Sequence, residues 1–248
     1  AEALGAFHEA ASQVERLAAG PYRDRQAVQI AIAQAVPLII AGRINEARDR
    51  LIEQADRVER LSDPRLSADY YFFLAHSHDH LADHAAAERN ALRALEEALR
   101  SGDRLPQGRA HYQLATGCFW TGRYAQGAGH GVEGASLLEG TDEHFFLGLN
   151  LWILGHNLAV LGELDRAEEA GRRAEALGGA HDDPRLQCYG LLCRGWVLAM
   201  RGEGEAGLHL CRSGLELAPD PFAQAVARGY LGYAHLQRQE STLAASHF

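Results

Sequence analysis

The chain has 248 residues, 47% of them apolar and 23% charged, a core-forming composition that excludes a disordered or fibrous protein. All 24 basic residues are arginine, so a P-loop lysine, a kinase strand lysine and a Schiff-base lysine are excluded together. The formal charge of −9 opposes binding to a nucleic-acid backbone, which needs a basic face.

Residues 2–18 read as one amphipathic helix, with Glu2, His8, Glu9, Glu15 and Arg16 at helical intervals, and not as a signal peptide; segment 1–20 is expected to be the second helix of a preceding repeat. From there the chain repeats every 40 residues. Turn sequences fall at Gly42, Gly122, Gly162 and Gly202, and Ala82 fills the missing step. A small residue recurs five positions later, at Ala47, Ala87, Gly127, Ala167 and Gly207. Another lies seven before each turn, at Ala35, Ala75, Ala115, Gly155 and Gly195. A sixth, shorter copy carries Gly232, Gln239 and Ala244. Each copy predicts two helices joined by a tight turn. The small residues let the backbones approach, and leucines at helical spacing fill the seam.

The predicted copies span 24–63, 64–103, 104–143, 144–183 and 184–219, with a truncated copy at 220–248. Asp63-Pro64, Asp183-Pro184 and Asp220-Pro221 read as helix starts, Asp capping and Pro in the first turn. Pro37 predicts a kink in the first helix of copy one. Glycines 127, 129, 131 and 134 predict a weak second helix in copy three. The apolar stretch 145–162 contains Asn150, His156 and Asn157, which suits a buried helix better than a membrane span. Cys118, Cys188, Cys193 and Cys211 show no metal-type or CxxC spacing and read as buried thiols in a reducing compartment. The whole reads as a single domain without polar end caps, hence as a fragment of a larger protein.

The segment Leu151-Trp152-Ile153-Leu154-Gly155-His156-Asn157-Leu158, continued at Ala167, resembles the tetratricopeptide repeat pattern, as does Tyr230-Leu231-Gly232-Tyr233-Ala234-His235. The period exceeds the usual 34 by about six residues. The resemblance implies an all-α fold, a right-handed α-solenoid of about six helix-turn-helix repeats. Forty-residue copies of this kind look like the C-terminal arrays of bacterial STAND signalling ATPases linked to a cyclase, a kinase or a LuxR-type domain. That likeness implies a cytoplasmic regulatory protein with a role in signalling and transcription regulation.

In such arrays the first helices form a concave wall, faced by the third residue before the small position and the first, fourth and fifth after it. Copy two then offers Phe72, His76, Asp79 and His80, and copy three Tyr112, Thr116, Phe119 and Trp120. Copy four offers Trp152, His156, Ala159 and Val160, and copy five Leu192, Trp196, Ala199 and Met200. All three tryptophans of the chain fall on this wall. Two readings stand side by side: an aromatic groove for a partner, or inter-repeat core.

His76 and His80 share one helical face at a spacing that can chelate zinc. His84 and Asp79 are the nearest further ligands, nothing in sequence completes the site, and no HExxH base is present. Gly127 to Gly134 contain a formal GxGxxG, but a helical repeat precedes it where a dinucleotide fold needs a strand. The expected function is non-catalytic recognition of a protein segment, a peptide or a small inducer, with no cofactor, metal, nucleic acid or membrane partner. One alternative is a signalling-peptide receptor. Another, of a different class, is a metal-dependent hydrolase built on His76, His80 and His84.

Overall fold

The computed structural model describes residues 2–248, and the side chains of residues 5–7 and 9–248. Among the described residues there are fourteen helices and no strand. Helix α1 (Glu2–Glu15) precedes copy one, which supplies α2 (Pro21–Ile40) and a second helix broken into α3 (Ile44–Ile52) and α4 (Ala55–Leu61). Copy two gives α5 (Pro64–His80) and α6 (His84–Ser101), and copy three α7 (Arg104–Trp120) and α8 (Tyr124–Leu138). Then follow α9 (His144–Val160), α10 (Leu164–Ala180), α11 (Pro184–Met200), α12 (Gly204–Leu217), α13 (Pro221–Gln237) and α14 (Ser241–Ala245). The break in copy one and helix α1 ahead of the copies raise the number above the dozen that six paired copies predict. The chain divides into two compact units, one running to Gly117 and the other Cys118–Phe248.

Each first helix ends in the same way. At 42, 82, 122, 162, 202 and 239 the backbone φ lies between 58° and 87°. The amide of that residue donates to a carbonyl three residues back, and the next amide reaches five back, as in Gly42 to Ile39 and Arg43 to Leu38. This double closure satisfies carbonyls that the helix end would leave bare. Glycine adopts the left-handed conformation freely, whereas Ala82 (φ 58°) and Gln239 (φ 63°) hold it at a cost of about 1 kcal/mol each. A second series, Ser62, Gly102, Gly140 and Asp182, turns the chain at the first four junctions between copies, whereas the passage into copy six through Ala218 is extended. At the starts, Asp63, Asp183 and Asp220 accept amides of Leu66 (3.1 Å), Leu186 (3.1 Å) and Ala223 (3.0 Å), with proline in the first turn.

The small residues lie where helices cross. A Cβ on Gly155 would meet Cys193 Sγ at 2.5 Å and the Ala167 carbonyl at 3.1 Å; one on Gly195 would meet Cys211 Sγ at 2.6 Å and the Gly207 carbonyl at 2.8 Å. A Cβ on Gly232 would strike the Phe248 ring. The kink expected at Pro37 does not end the helix: α2 continues through it to Ile40. The glycine-rich α8 also forms, because Gly127 and Gly131 seat it against Asn157 and Leu154 of α9 with no room for a side chain. The four cysteines are buried free thiols, and no described helix is long and apolar enough to cross a membrane.

Candidate functional site

The first-helix wall is occupied by rings in both units, but their surroundings differ. In the unit ending at Gly117, α5 carries Phe72 stacked on His76 with centroids 5.9 Å apart. His76 Nδ1 lies 3.1 Å from Gln113 Oε1 on α7, and its Nε2 lies 3.2 Å from His80 Nε2. A carboxamide oxygen only accepts, so His76 carries its proton on Nδ1 and receives a second hydrogen bond from His80. Burial, reinforced by the neighbouring His80, pushes the His76 pKa down to about 3. Burial raises the Asp79 carboxyl, a shift countered by His84, whose Nδ1 stands 3.2 Å from it. On α7, Tyr112 and Thr116 are buried, and the Thr116 hydroxyl donates to the Tyr112 carbonyl at 2.9 Å. Among the described residues no group of three or more His, Cys, Asp or Glu side chains could hold a metal ion. His76, His80 and His84 therefore do not assemble the ligand set that a metal-dependent hydrolase requires.

In the unit Cys118–Phe248 the rings form one continuous cluster around His156. Its Nδ1 lies 2.6 Å from the Trp152 carbonyl, which only accepts, so Nδ1 carries the proton and Nε2 receives the Tyr230 hydroxyl. The imidazole stacks on Trp196 (4.9 Å, 20°) and is met edge-on by Phe119 (5.8 Å, 89°). Trp152 stacks on Tyr189 at 4.9 Å, and Trp196 meets Tyr233 at 5.7 Å. Burial drives the His156 pKa down to about 4, against the Trp152 carbonyl that favours the proton, and holds the Tyr230 phenol well above its ordinary value. Both stay neutral at pH 7.

Exposure separates the wall into a packed layer and an open edge. Phe72, Tyr112, His156 and Trp196 are buried, while Phe119 and Trp152 are partly covered. Trp120 is 59% exposed, and Val160, at the same position one copy on, is 37% exposed. Residue spacing missed Tyr189, Tyr230 and Tyr233. Applying the wall positions to the sixth copy would have found Tyr233, one residue after Gly232. Tyr189 and Tyr230 lie off those positions and join the cluster only through packing of α11 and α13.

Burial pushes the thiols of Cys188, Cys193 and Cys211 up to about 12, so none is a thiolate nucleophile at neutral pH. The GxGxxG lies wholly within α8.

No family model matches the chain, and no curated protein matches it in sequence. Solved structures do match. A Rap protein complexed with competence and sporulation factor is 13% identical, with a TM-score of 0.74 over 97% of this chain and 70% of that one. The apo form of RapI is 12% identical, with a TM-score of 0.68 over 89% of this chain and 81% of that one. A STAND protein with a tetratricopeptide repeat sensor, from Pyrococcus horikoshii, is 14% identical with a TM-score of 0.60; the match covers 97% of this chain and 38% of that protein. At such identities the likeness speaks for the fold, and the chain is an all-α solenoid of tetratricopeptide-like helical repeats.

Proposed function

We propose that the chain is a non-catalytic recognition module that binds a peptide or protein segment against the aromatic wall of its first helices. The copies 24–63 to 220–248 act as one array in this reading. The observation that carries it is the ring cluster of α7, α9, α11 and α13 with Trp120 at its open edge. A tryptophan supported edge-on by Phe119 (5.2 Å) offers large apolar area with few rotamers to freeze, the property of a binding anchor. The protein of similar fold complexed with competence and sporulation factor supports the signalling-peptide form of this reading. The sensor repeats of the STAND protein support a sensory role upstream of another domain. The neutral, enclosed histidines and protonated thiols support binding over catalysis.

The test is selection of peptides from a displayed random library on the full chain, followed by titration of the selected peptide. Trp120→Ala should weaken binding by about 2 kcal/mol, roughly thirtyfold, with the helical circular dichroism retained. Selected peptides that bind Trp120→Ala and Trp152→Ala as tightly as the parent would sink the reading.

A further inference from the structure

A second feature lies away from the aromatic wall. Copy one departs from its sisters in its second helix, which breaks between Ile52 and Ala55, whereas α6, α8, α10 and α12 run unbroken for 14 to 18 residues. Gln54 stands at the break, its Nε2 donating to the Arg50 carbonyl (3.4 Å) and its Oε1 accepting from Arg57 (2.7 Å). Beside this break a cleft of about 390 Å³ opens between α1, α2 and α3–α4, within the size range of small-ligand sites. Val14 and Ile30 give it apolar lining, Gln34 lines it from α2, and Glu53, Asp56 and Arg57 line it from the broken second helix.

Gln34 is anomalous. It occupies the position just before the small residue, where copies two, three and four bury Leu74, Leu114 and Leu154. It is only 3% exposed, yet its Nε2 has no hydrogen-bond partner among the described residues. Its orientation is set by Arg50, which can only donate and which holds Oε1 at 2.7 Å, so the amide group is the free end. A buried donor left unpaired costs about 1–3 kcal/mol, a cost that copies two, three and four avoid with leucine; copy five carries Arg194 there. The cleft lining carries three arginines (Arg50, Arg57, Arg60) and three carboxylates (Glu15, Glu53, Asp56), but they are not all paired. Arg50 is engaged by Glu46, Arg57 by Glu15 and Asp24, and Arg60 by Asp24, while Glu53 and Asp56 have no ion-pair partner among the described residues.

We propose that this cleft is a second binding site, one that takes a short extended peptide segment bearing a basic side chain. A backbone carbonyl of the segment accepts from Gln34 Nε2, the chain lies over Val14 and Ile30, and the cation reaches Glu53 and Asp56. No covalent step is involved.

The test uses the full chain and the probe acetyl-Ala-Arg-Ala-amide, with acetyl-Ala-Gln-Ala-amide as the neutral control. Calorimetry reads affinity, and the ¹⁵N side-chain amide resonance of Gln34 reads contact. The basic probe should bind and shift the Gln34 resonance. The control, the Glu53→Gln/Asp56→Asn variant and Gln34→Leu should each bind about tenfold more weakly, the loss of one charge-assisted or buried hydrogen bond. Gln34→Leu places the leucine of copies two, three and four at this position and should melt above the parent. Trp120→Ala should keep full affinity for the probe, which separates this site from the aromatic wall. The proposal is overturned if the probe leaves the Gln34 amide unmoved, as a resident water would, if the variants and control bind as the parent does, or if Trp120→Ala abolishes binding.

Discussion

His76 and His156 occupy one repeat position in two different units, each following the small residue of its first helix, and the fold treats them differently. His76 is held by polar partners, Gln113 and His80, and stacks on a single phenylalanine. His156 is held by a backbone carbonyl and a tyrosine hydroxyl within a box of rings. Both are pushed well below the ordinary histidine pKa, chiefly by burial. Enclosure at this position is common to these two copies and absent from copy one, where Val36 is 43% exposed; the neighbours decide whether the wall is polar or aromatic. The preceding residue differs as well: Ala75 is accommodated in α5, but Gly155 in α9 has no room for a Cβ.

The largest expected effect tests whether the rings around His156 are structural. Trp196→Ala removes a ring that is only 8% exposed and should cost about 3–5 kcal/mol in urea unfolding. A loss below 1 kcal/mol would mean that the box does not support its unit, and the contrast with His76 would collapse. Next, Gly155→Ala places on α9 the residue that α5 carries at Ala75. It should destabilise by about 1–3 kcal/mol, since the new methyl would stand 2.5 Å from Cys193 Sγ. An unchanged melting temperature would show that the two helix crossings are equally open.

The third test is acidification. Below pH 6.5 the unfolded chain protonates these histidines, while the folded chain resists until about pH 3 for His76 and about pH 4 for His156. The unfolded state then binds more protons, so stability is complete above pH 6.5 and falls as the pH drops towards 4, by about 1.4 kcal/mol per unit for each histidine. His156→Gln should flatten the slope by one such increment, as should His76→Gln. If only one variant changes it, urea titrations at pH 7, 6 and 5 will show which of the two environments truly excludes the proton.

Much of this architecture is local and was readable from residues alone. The 40-residue spacing of Gly42, Gly122, Gly162 and Gly202, with Ala82 as a stand-in, specifies turn positions, Gln239 follows in the shorter sixth copy, and the backbone is left-handed at all six. Asp-Pro pairs specify helix starts, and the small residues at 155 and 195 specify close crossings, because capping and steric exclusion act within a few residues or at one contact. The aromatic residues of the wall were likewise visible as a register. Their surroundings were not. Whether a ring is covered depends on side chains distant in sequence: Tyr230 reaches His156 across 74 residues, and Tyr189 covers Trp152 from the next copy. The break at Gln54 and the unpaired amide of Gln34 were equally hidden, since neither the continuity of a helix nor the satisfaction of a buried donor is encoded at one position. Periodicity decided where each helix begins, turns and crosses its neighbour; tertiary packing decided which parts of the wall are core, which remain open, and where a cleft remains, because burial is a property of all the neighbours at once.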